Sequence, residues 1–405
     1  MHFVRTDPLA WTRNDFPLLG RLVDGFPITH LDSASTAPKP RCVIEAVTRF
    51  YEEYTANVHR GVHGLSEEAT ELFERTRHEV ASFLNASPDE IIFTRNTTES
   101  INLVAHGLGL KPDDEVILTP PEHHSNFMPW RVRARAVTVG LDCEGAPRYD
   151  DIESLMNPRT RLVTLAQISN TLGVLAPVDQ WIAKAHSRNI PVVIDASQSA
   201  SHIPIDVKAL DCDFLATSGH KLLGPSGVGI LYGKRERLEA LSLYQTGGGM
   251  VKLHDDERFV THDIPFRFEA GTPNIEGVIG LGAAVAYLRG IGMEAIHIHS
   301  RELGAHLVKG LSSLGSVRIL AGSAPLSSRI GLVSFAVKTA GFSADTIARQ
   351  LYDRYQILVS GGYHCAHILH HRLKLDGTVR ASTHVFNTHA DIEALIEGLK
   401  DLLDS

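Results

Sequence analysis

The sequence predicts an α/β protein: a mostly parallel sheet covered by helices on both faces, joined to a smaller α+β unit. Three observations carry that expectation. Between about residues 90 and 235, short apolar runs alternate with helical stretches, the order that builds parallel strands through helical crossovers. A chain of 405 residues can hold two domains around substantial cores. Its content, 43% hydrophobic and 21% charged, is that of an ordinary globular protein.

The N-terminal arm, residues 1–25, shows little periodicity and no apolar core of signal-peptide length. No later run is long enough to span a bilayer, so no membrane partner is expected. Residues 28–32 read as a short strand entering the small-residue turn Ser33-Ala34-Ser35-Thr36, with Pro38 and Pro40 opening a helix. Ser66 is placed as the N-cap of the next helix, with Glu67 and Glu68 in its first turn. Ala69, Leu72, Phe73, Thr76, Val80, Phe83 and Leu84 then recur at helical spacing. Residues 91–94 form a strand that turns through Thr97 and Thr98 into a helix. A helix N-terminus with hydroxyls can cradle a phosphate, with Thr98 the foremost candidate, although threonines cap helices routinely.

Residues 115–119 are another strand, with His123 and His124 just past its carboxyl end, where ligands of open α/β sheets bind. Adjacent histidines do not face one ion, and no carboxylate completes a ligand set, so no metal is expected. Residues 161–166 continue the sheet, followed by Ser169-Asn170 and a helix from about Pro177. The next strand, Val192-Val193-Ile194-Asp195, ends in a carboxylate. Residues 213–217 lead into Ser218-Gly219-His220-Lys221, and Gly229-Ile230-Leu231-Tyr232 follows as a strand. Residues 245–274 are long, polar and weakly periodic, as functional loops often are. A helix-rich second domain begins at Ile275, with strands at residues 330–335 and 357–359. Its closing helix carries Ile392, Leu395, Ile396, Leu399 and Leu402 on one face. The expected division is therefore 1–25, 26–274 and 275–405.

Several classes drop out. The net charge of −8, with no basic block, argues against nucleic acid as a partner. Four cysteines lie far apart without a CxxC pair, as in a reduced, cytoplasmic protein. No G-x-G-x-x-G opens a helix and no Walker-type loop is present. What remains is Lys221. Between two strands, burial would lower its pKa, and a desolvated lysine condenses readily with a carbonyl cofactor. A lone lysine in a turn would be read as surface, but Asp195 supplies the carboxylate that a pyridinium nitrogen needs.

Asp195-x-x-Gln198 followed by Ser218-Gly219-His220-Lys221 resembles the class V aminotransferase superfamily, and more narrowly its group II (SUF-type) cysteine desulfurases and selenocysteine lyases. Residues 31–34, Val58-His59-Arg60-Gly61, Thr97-Thr98-Glu99, Glu122-His123-His124, Ser169-Asn170, Arg267 to Asn274, His364-Cys365-Ala366 and Val379-Arg380-Ala381-Ser382 follow in the family's order. The resemblance implies fold-type I with a seven-stranded sheet, pyridoxal 5'-phosphate and a homodimer. It implies Lys221 as cofactor anchor and base, Asp195 at the ring nitrogen, Gln198 at the ring hydroxyl, and His123 stacked on the ring and relaying protons. Thr97, Thr98, Ser218 and His220 would hold the phosphate, joined by Thr272 from the other subunit. Asn170 would contact cofactor and substrate, Ala34 the substrate, and Arg380 the α-carboxylate through its planar guanidinium. Cys365, in a glycine-flexible loop, would take sulfur from L-cysteine as a persulfide, leave L-alanine, and pass sulfur to an acceptor protein, as in iron–sulfur cluster assembly. His124 is expected to be structural. The sequence departs from the pattern at Ser360, where the desulfurases usually carry arginine. The alternative is therefore a carbon–sulfur β-lyase that converts an S-substituted cysteine to thiol, pyruvate and ammonia. The sequence does not decide sulfur against selenium.

Overall fold

The structure, a computed structural model, describes residues 7–338 and 343–404. Residues 1–6 of the expected arm lie outside them. Seven strands form the central sheet: β1 Ile91–Thr94, β2 Glu115–Leu118, β3 Arg135–Thr138, β4 Thr160–Ala166, β5 Val192–Asp195, β6 Phe214–Ser218 and β7 Gly229–Gly233. They lie in the order β1-β7-β6-β5-β4-β2-β3. Neighbours from β6 to β3 pair in parallel, and β7 alone runs against both of its neighbours. The reason is connection length: β6 and β7 are joined by a short turn, whereas each parallel pair needs a longer crossover.

The strands read as continuous apolar runs because both faces are covered. Ile92, Leu162, Val193 and Ala216 point into one core with Trp130 and Leu103. Phe93, Val163, Ile194 and Leu215 point into the other. That second core is closed by α1 Arg41–Glu53, α2 Gly64–Leu84, α4 Val178–His186 and α5 Ile275–Ile291, while α3 Thr97–Gly107 covers the first. Because β1, β2, β4, β5 and β6 run the same way, their carboxyl ends share one edge. The turns carrying Thr97, His123, Asn170, Asp195 and Lys221 all leave from that edge.

The smaller unit is an antiparallel sheet, β8 Val317–Ile319, β9 Leu332–Val337, β10 Ser360–Gly362 and β11 Thr378–Ser382, in the order β8-β9-β11-β10. Helices α6 Met293–Ser312, α7 Ala344–Tyr355 and α8 His389–Asp404 pack on it. In α8, Ile392, Leu395, Leu399 and Leu402 are buried in this core and Ile396 is half-buried, as the periodicity predicts.

Four expectations are corrected. The apolar face of α5 shares the core of the large unit, and so does Ile296 of α6 beyond the 78° bend at Gly292, so packing passes to the second core only from Leu303, not at residue 275. Thr29–His30 pairs in parallel with Ile357–Leu358, and Leu31 joins the small core, so the N-terminal strand belongs there and not with the large unit. Helix α2 starts at Gly64 with His63 as N-cap. Ser66 instead braces the preceding loop, accepting from Gly61 N at 3.1 Å and donating to Asn57 O at 2.7 Å. The long segment 245–274 holds a hairpin, Val251–His254 against Phe259–Thr261. No single helix among the described residues is long and apolar enough to cross a membrane.

Candidate active site

A cavity of about 450 Å³ opens at the carboxyl edge of the large sheet, against the small unit. It brings together Ala34, Thr97, Thr98, His123, Asn170, Asp195, Gln198, Ser218, His220, Lys221, Cys365 and Arg380, twelve of the thirteen residues that the sequence singles out. Thr272 is the exception. It lies in a separate groove with His59 and Arg60.

Lys221 ends a one-turn 3-10 segment, Gly219–Lys221, directly after β6. Burial, helped by nearby Arg380, lowers its amine to about 8 against the opposing pull of Asp195. Roughly a tenth is therefore the free base at pH 7, several hundredfold more than for an ordinary lysine. Asp195 closes β5 and is 5% exposed. Its Oδ1 accepts Ser197 N at 2.8 Å and Ser197 Oγ at 2.5 Å. Both protein donors fall on one oxygen, which leaves Oδ2 for an occupant. Gln198 is aimed by its side chain, whose Nε2 donates a hydrogen bond to Ala34 O at 3.0 Å.

At the start of α3, hydroxyls form a linked set. Thr97 Oγ1 lies 2.8 Å from Ser197 Oγ and 2.7 Å from Ser218 Oγ. Thr98 Oγ1 lies 2.6 Å from Ser125 Oγ. Asn96 caps the helix by accepting Glu99 N at 2.9 Å. Gly229 is what lets β7 pass beneath: a Cβ there would come within 2.6 Å of the Asn96 backbone. The result is a positive helix end dressed with hydroxyls, a seat for a phosphate. His220 beside it is neutral, lowered to about 4 by burial and by Lys221 and Lys39.

His123 Nδ1 accepts the backbone N–H of Ser125 at 3.1 Å, so the proton sits on Nε2. Burial and the charge of Lys221 lower this ring to about 3, so it stands neutral in the cavity. Arg380, on β11, is 4% exposed. Its Nη1 donates to Asn170 O at 3.1 Å; its Nη2 donates to Ser35 Oγ at 2.7 Å and Asp32 Oδ1 at 3.4 Å. Arg380 Nε and Asn170 Oδ1 are buried without a protein partner. Unpaired buried polar atoms are costly, and a donor and an acceptor left beside a cavity point to a ligand that satisfies them.

Cys365 is exposed, in the link between β10 and the helix His367–Leu373. The expectation of a glycine-flexible loop is corrected. Asn170 Nδ2 donates to His364 O at 2.8 Å, His124 N to Cys365 O at 2.9 Å, and Ala366 N to Tyr363 O at 2.8 Å. His364 and Cys365 both take left-handed backbone, φ 49° and 56°, which non-glycine residues adopt only when held. His124 is not among the residues that line the cavity, and its ring packs 4.8 Å from that of His367.

Sequence reasoning missed the serines. Ser197, Ser125 and Ser35 orient Asp195, His123 and Arg380, and each sits within three residues of a motif residue, the one signal that could have exposed them. His364 also lines the cavity. Burial lowers its ring to about 3, and Nε2 contacts Thr378 O at 2.9 Å.

A buried amine, a buried carboxylate, a hydroxyl-lined helix end and a neutral imidazole form the donor set that pyridoxal phosphate requires, and the residues present fit it. A family model described as "Aminotransferase class-V" matches residues 29–395. A probable cysteine desulfurase of Synechocystis sp. is 42% identical over 400 residues, covering 96% of this chain and 94% of that protein. A cysteine desulfurase of Pectobacterium atrosepticum is 41% identical over 405 residues, 97% of each. Among solved structures, the apo cysteine desulfurase of Thermococcus onnurineus superposes with a TM-score of 0.91 at 37% identity, covering 97% of both chains. The cysteine desulfurase CsdA of Escherichia coli gives 0.87 at 37% identity over 98% of both. With fold, cavity and kinship in agreement, the chain belongs to the cysteine desulfurases of the class-V aminotransferase family.

Proposed function

We propose that this protein removes sulfur from L-cysteine, giving L-alanine and a persulfide on Cys365, as a cytoplasmic homodimer that passes the sulfur to an acceptor protein. The observation that carries this reading is that Lys221, Asp195, Arg380 and Cys365 line one cavity. Pyridoxal phosphate, when bound, supplies an electron sink that loosens bonds at the substrate Cα and Cβ. Lys221 would anchor it covalently, Asp195 hold its ring nitrogen protonated, Gln198 meet its ring hydroxyl, and His123 stack on its face. Thr97, Thr98, Ser218 and His220 would hold its phosphate, with Thr272 contributed by a second subunit.

The chain's own residues do the rest. Arg380 holds the α-carboxylate, with Asn170 beside it and Ala34 against the side chain. Lys221, released as a free amine near neutral pH, takes the Cα proton. His123, neutral with its proton on Nε2, would relay a proton only as Nδ1 takes one up, because losing the Nε2 proton alone would leave an imidazolate. The Cys365 sulfur bonds to the substrate sulfur as the carbon–sulfur bond breaks. The hydrogen lost from the Cys365 thiol balances the one gained at Cβ as alanine forms.

Ser360 gives a second reading its one support. It lines the cavity directly across from Arg380 in the β10–β11 register and adds no charge, leaving room for an S-substituted cysteine. Product analysis separates the two. Cys365→Ala on L-cysteine is expected to release almost no alanine while still binding substrate. Undiminished pyruvate from Cys365→Ala on an S-alkyl cysteine would overturn the desulfurase reading.

A further inference from the structure

Outside the cavity, a pair of buried histidines lies beneath the turn that carries Lys221. His202 and His384 are 5% and 3% exposed, with ring centroids 5.2 Å apart. Neither lines the cavity. His384 Nδ1 accepts the backbone N–H of Val385 at 2.9 Å, so the ring proton is on Nε2, which lies 3.3 Å from Lys221 O. The imidazole therefore donates to the backbone carbonyl of the cofactor lysine.

The other carbonyls of the turn are held redundantly. Gly219 O accepts Leu222 N and Gly224 N, both at 2.9 Å. His220 O accepts Ala37 N at 3.1 Å and Lys39 Nζ at 2.9 Å. Among the described residues, Lys221 O has His384 as its one donor. A backbone carbonyl fixes the peptide plane, and with it the direction in which Cα–Cβ leaves the chain. His384 also lies four residues beyond Arg380 on the same segment, where Ser382 N bonds Leu31 O at 2.7 Å and Ser382 Oγ accepts Ala34 N at 2.9 Å. The group that reads the substrate carboxylate and the group that aims the amine thus hang from one stretch of backbone.

We infer that His384 is a positioning residue for Lys221: its Nε2–H, donated to the Lys221 carbonyl, sets the aim of the amine and ties it to the segment that bears Arg380. The ring is kept neutral by burial, by His202, Lys39 and His30 around it, so it remains a single-proton donor. This rests on Lys221 being the cofactor lysine, and the test separates the two claims.

Holoenzyme with His384→Phe, His384→Gln or His384→Asn is followed by the pH midpoint of the lysine-bound cofactor's visible band, and by the rate of cofactor loss into a trapping reagent. Phenylalanine keeps the bulk without a donor. Glutamine brings an amide nitrogen to the place of Nε2, and asparagine falls short of it. His384→Phe and His384→Asn are expected to lose cofactor about five- to tenfold faster and to move the midpoint by about half a pH unit. In both, kcat falls while KM for cysteine holds within about twofold. His384→Gln should stay within about twofold of the parent throughout. Parental midpoint and loss rate in His384→Asn would overturn the inference, as would Gln and Asn being equally defective. If His384→Phe does not fold, the Gln–Asn pair decides, because the two share a chemistry and differ in reach. Lys221→Ala is run alongside: a covalent band persisting there would remove the functional reading itself, whatever His384 does.

Discussion

Replacing Arg380 with lysine isolates what its planar fork contributes. In the folded protein the guanidinium is 4% exposed and is aimed by Asn170 O, Ser35 Oγ and Asp32 Oδ1. Alanine at this position would undo those ties and strip Asp32 of its cation, mixing structure with binding. Lysine keeps the charge and loses the bidentate geometry. A hydrogen bond to a charged group contributes about 1.5–3 kcal/mol. At about 1.4 kcal/mol per tenfold, losing one such contact lowers kcat/KM for L-cysteine by roughly 10- to 150-fold. The assay is steady-state alanine release against cysteine concentration, with competitive inhibition by L-alanine and by ethylamine as the internal control. The inhibition constant for L-alanine should rise by the same factor, whereas ethylamine, which has no carboxylate, should bind as before. An unchanged KM and L-alanine constant in folded Arg380→Lys would refute the assignment of the carboxylate to this arginine.

Further outcomes follow from the same geometry. Because Lys221 is lowered to about 8, the rate at which apo-protein captures pyridoxal phosphate should climb about tenfold per pH unit and level off near pH 8; a continued rise to pH 10 in stopped-flow absorbance would mark an ordinary lysine. The same shift makes the apo-protein's stability increase with pH between about 8 and 10.5, where the unfolded chain binds the extra proton. Asp195→Asn leaves the ring nitrogen without its carboxylate, a loss of about 3–5 kcal/mol, or two to nearly four powers of ten in kcat; near-normal turnover with cofactor bound would misplace that partner. Gly229→Ala drives a Cβ to 2.6 Å from the Asn96 backbone, which should cost about 1–3 kcal/mol of stability and loosen the phosphate seat, seen as a lower melting temperature and weaker cofactor retention.

The sequence foretold the sheet well because each strand is a short run buried on both faces, and such runs differ sharply from the amphipathic helices between them. Lys221 and Asp195 were legible for a related reason: each stands where an apolar run stops, and the carboxyl ends of parallel strands converge. What escaped notice was set by partners distant in sequence. Thr29–His30 looked like the first strand of the large unit because nothing local says that it pairs with Ile357–Leu358. Ser66 offered good capping chemistry, but Asn57 and Gly61 claim its hydroxyl for the preceding loop. The glycines before Cys365 suggested flexibility, whereas Asn170 and His124, far upstream, pin the loop. The small unit starting at Ile275 was inferred from a change of pattern, and only packing reveals that α5 lies against α1 and α2.

The pairing of Thr29–His30 with Ile357–Leu358 has a consequence for how the chain is made. On the ribosome the early strand emerges first and must wait for more than three hundred further residues before its partner exists. Its backbone groups stay exposed through that interval, and closing so long a loop delays ordering relative to the local helices. The large sheet can complete itself as its last strand appears, but Ser35 and Arg380, which meet across the finished cavity, come together only when both ends of the chain are present. The grip on substrate proposed for Arg380 is thus reserved for completed chains. A nascent or truncated copy would carry Lys221 and still lack both the Arg380 grip and the His384 donor to the Lys221 carbonyl.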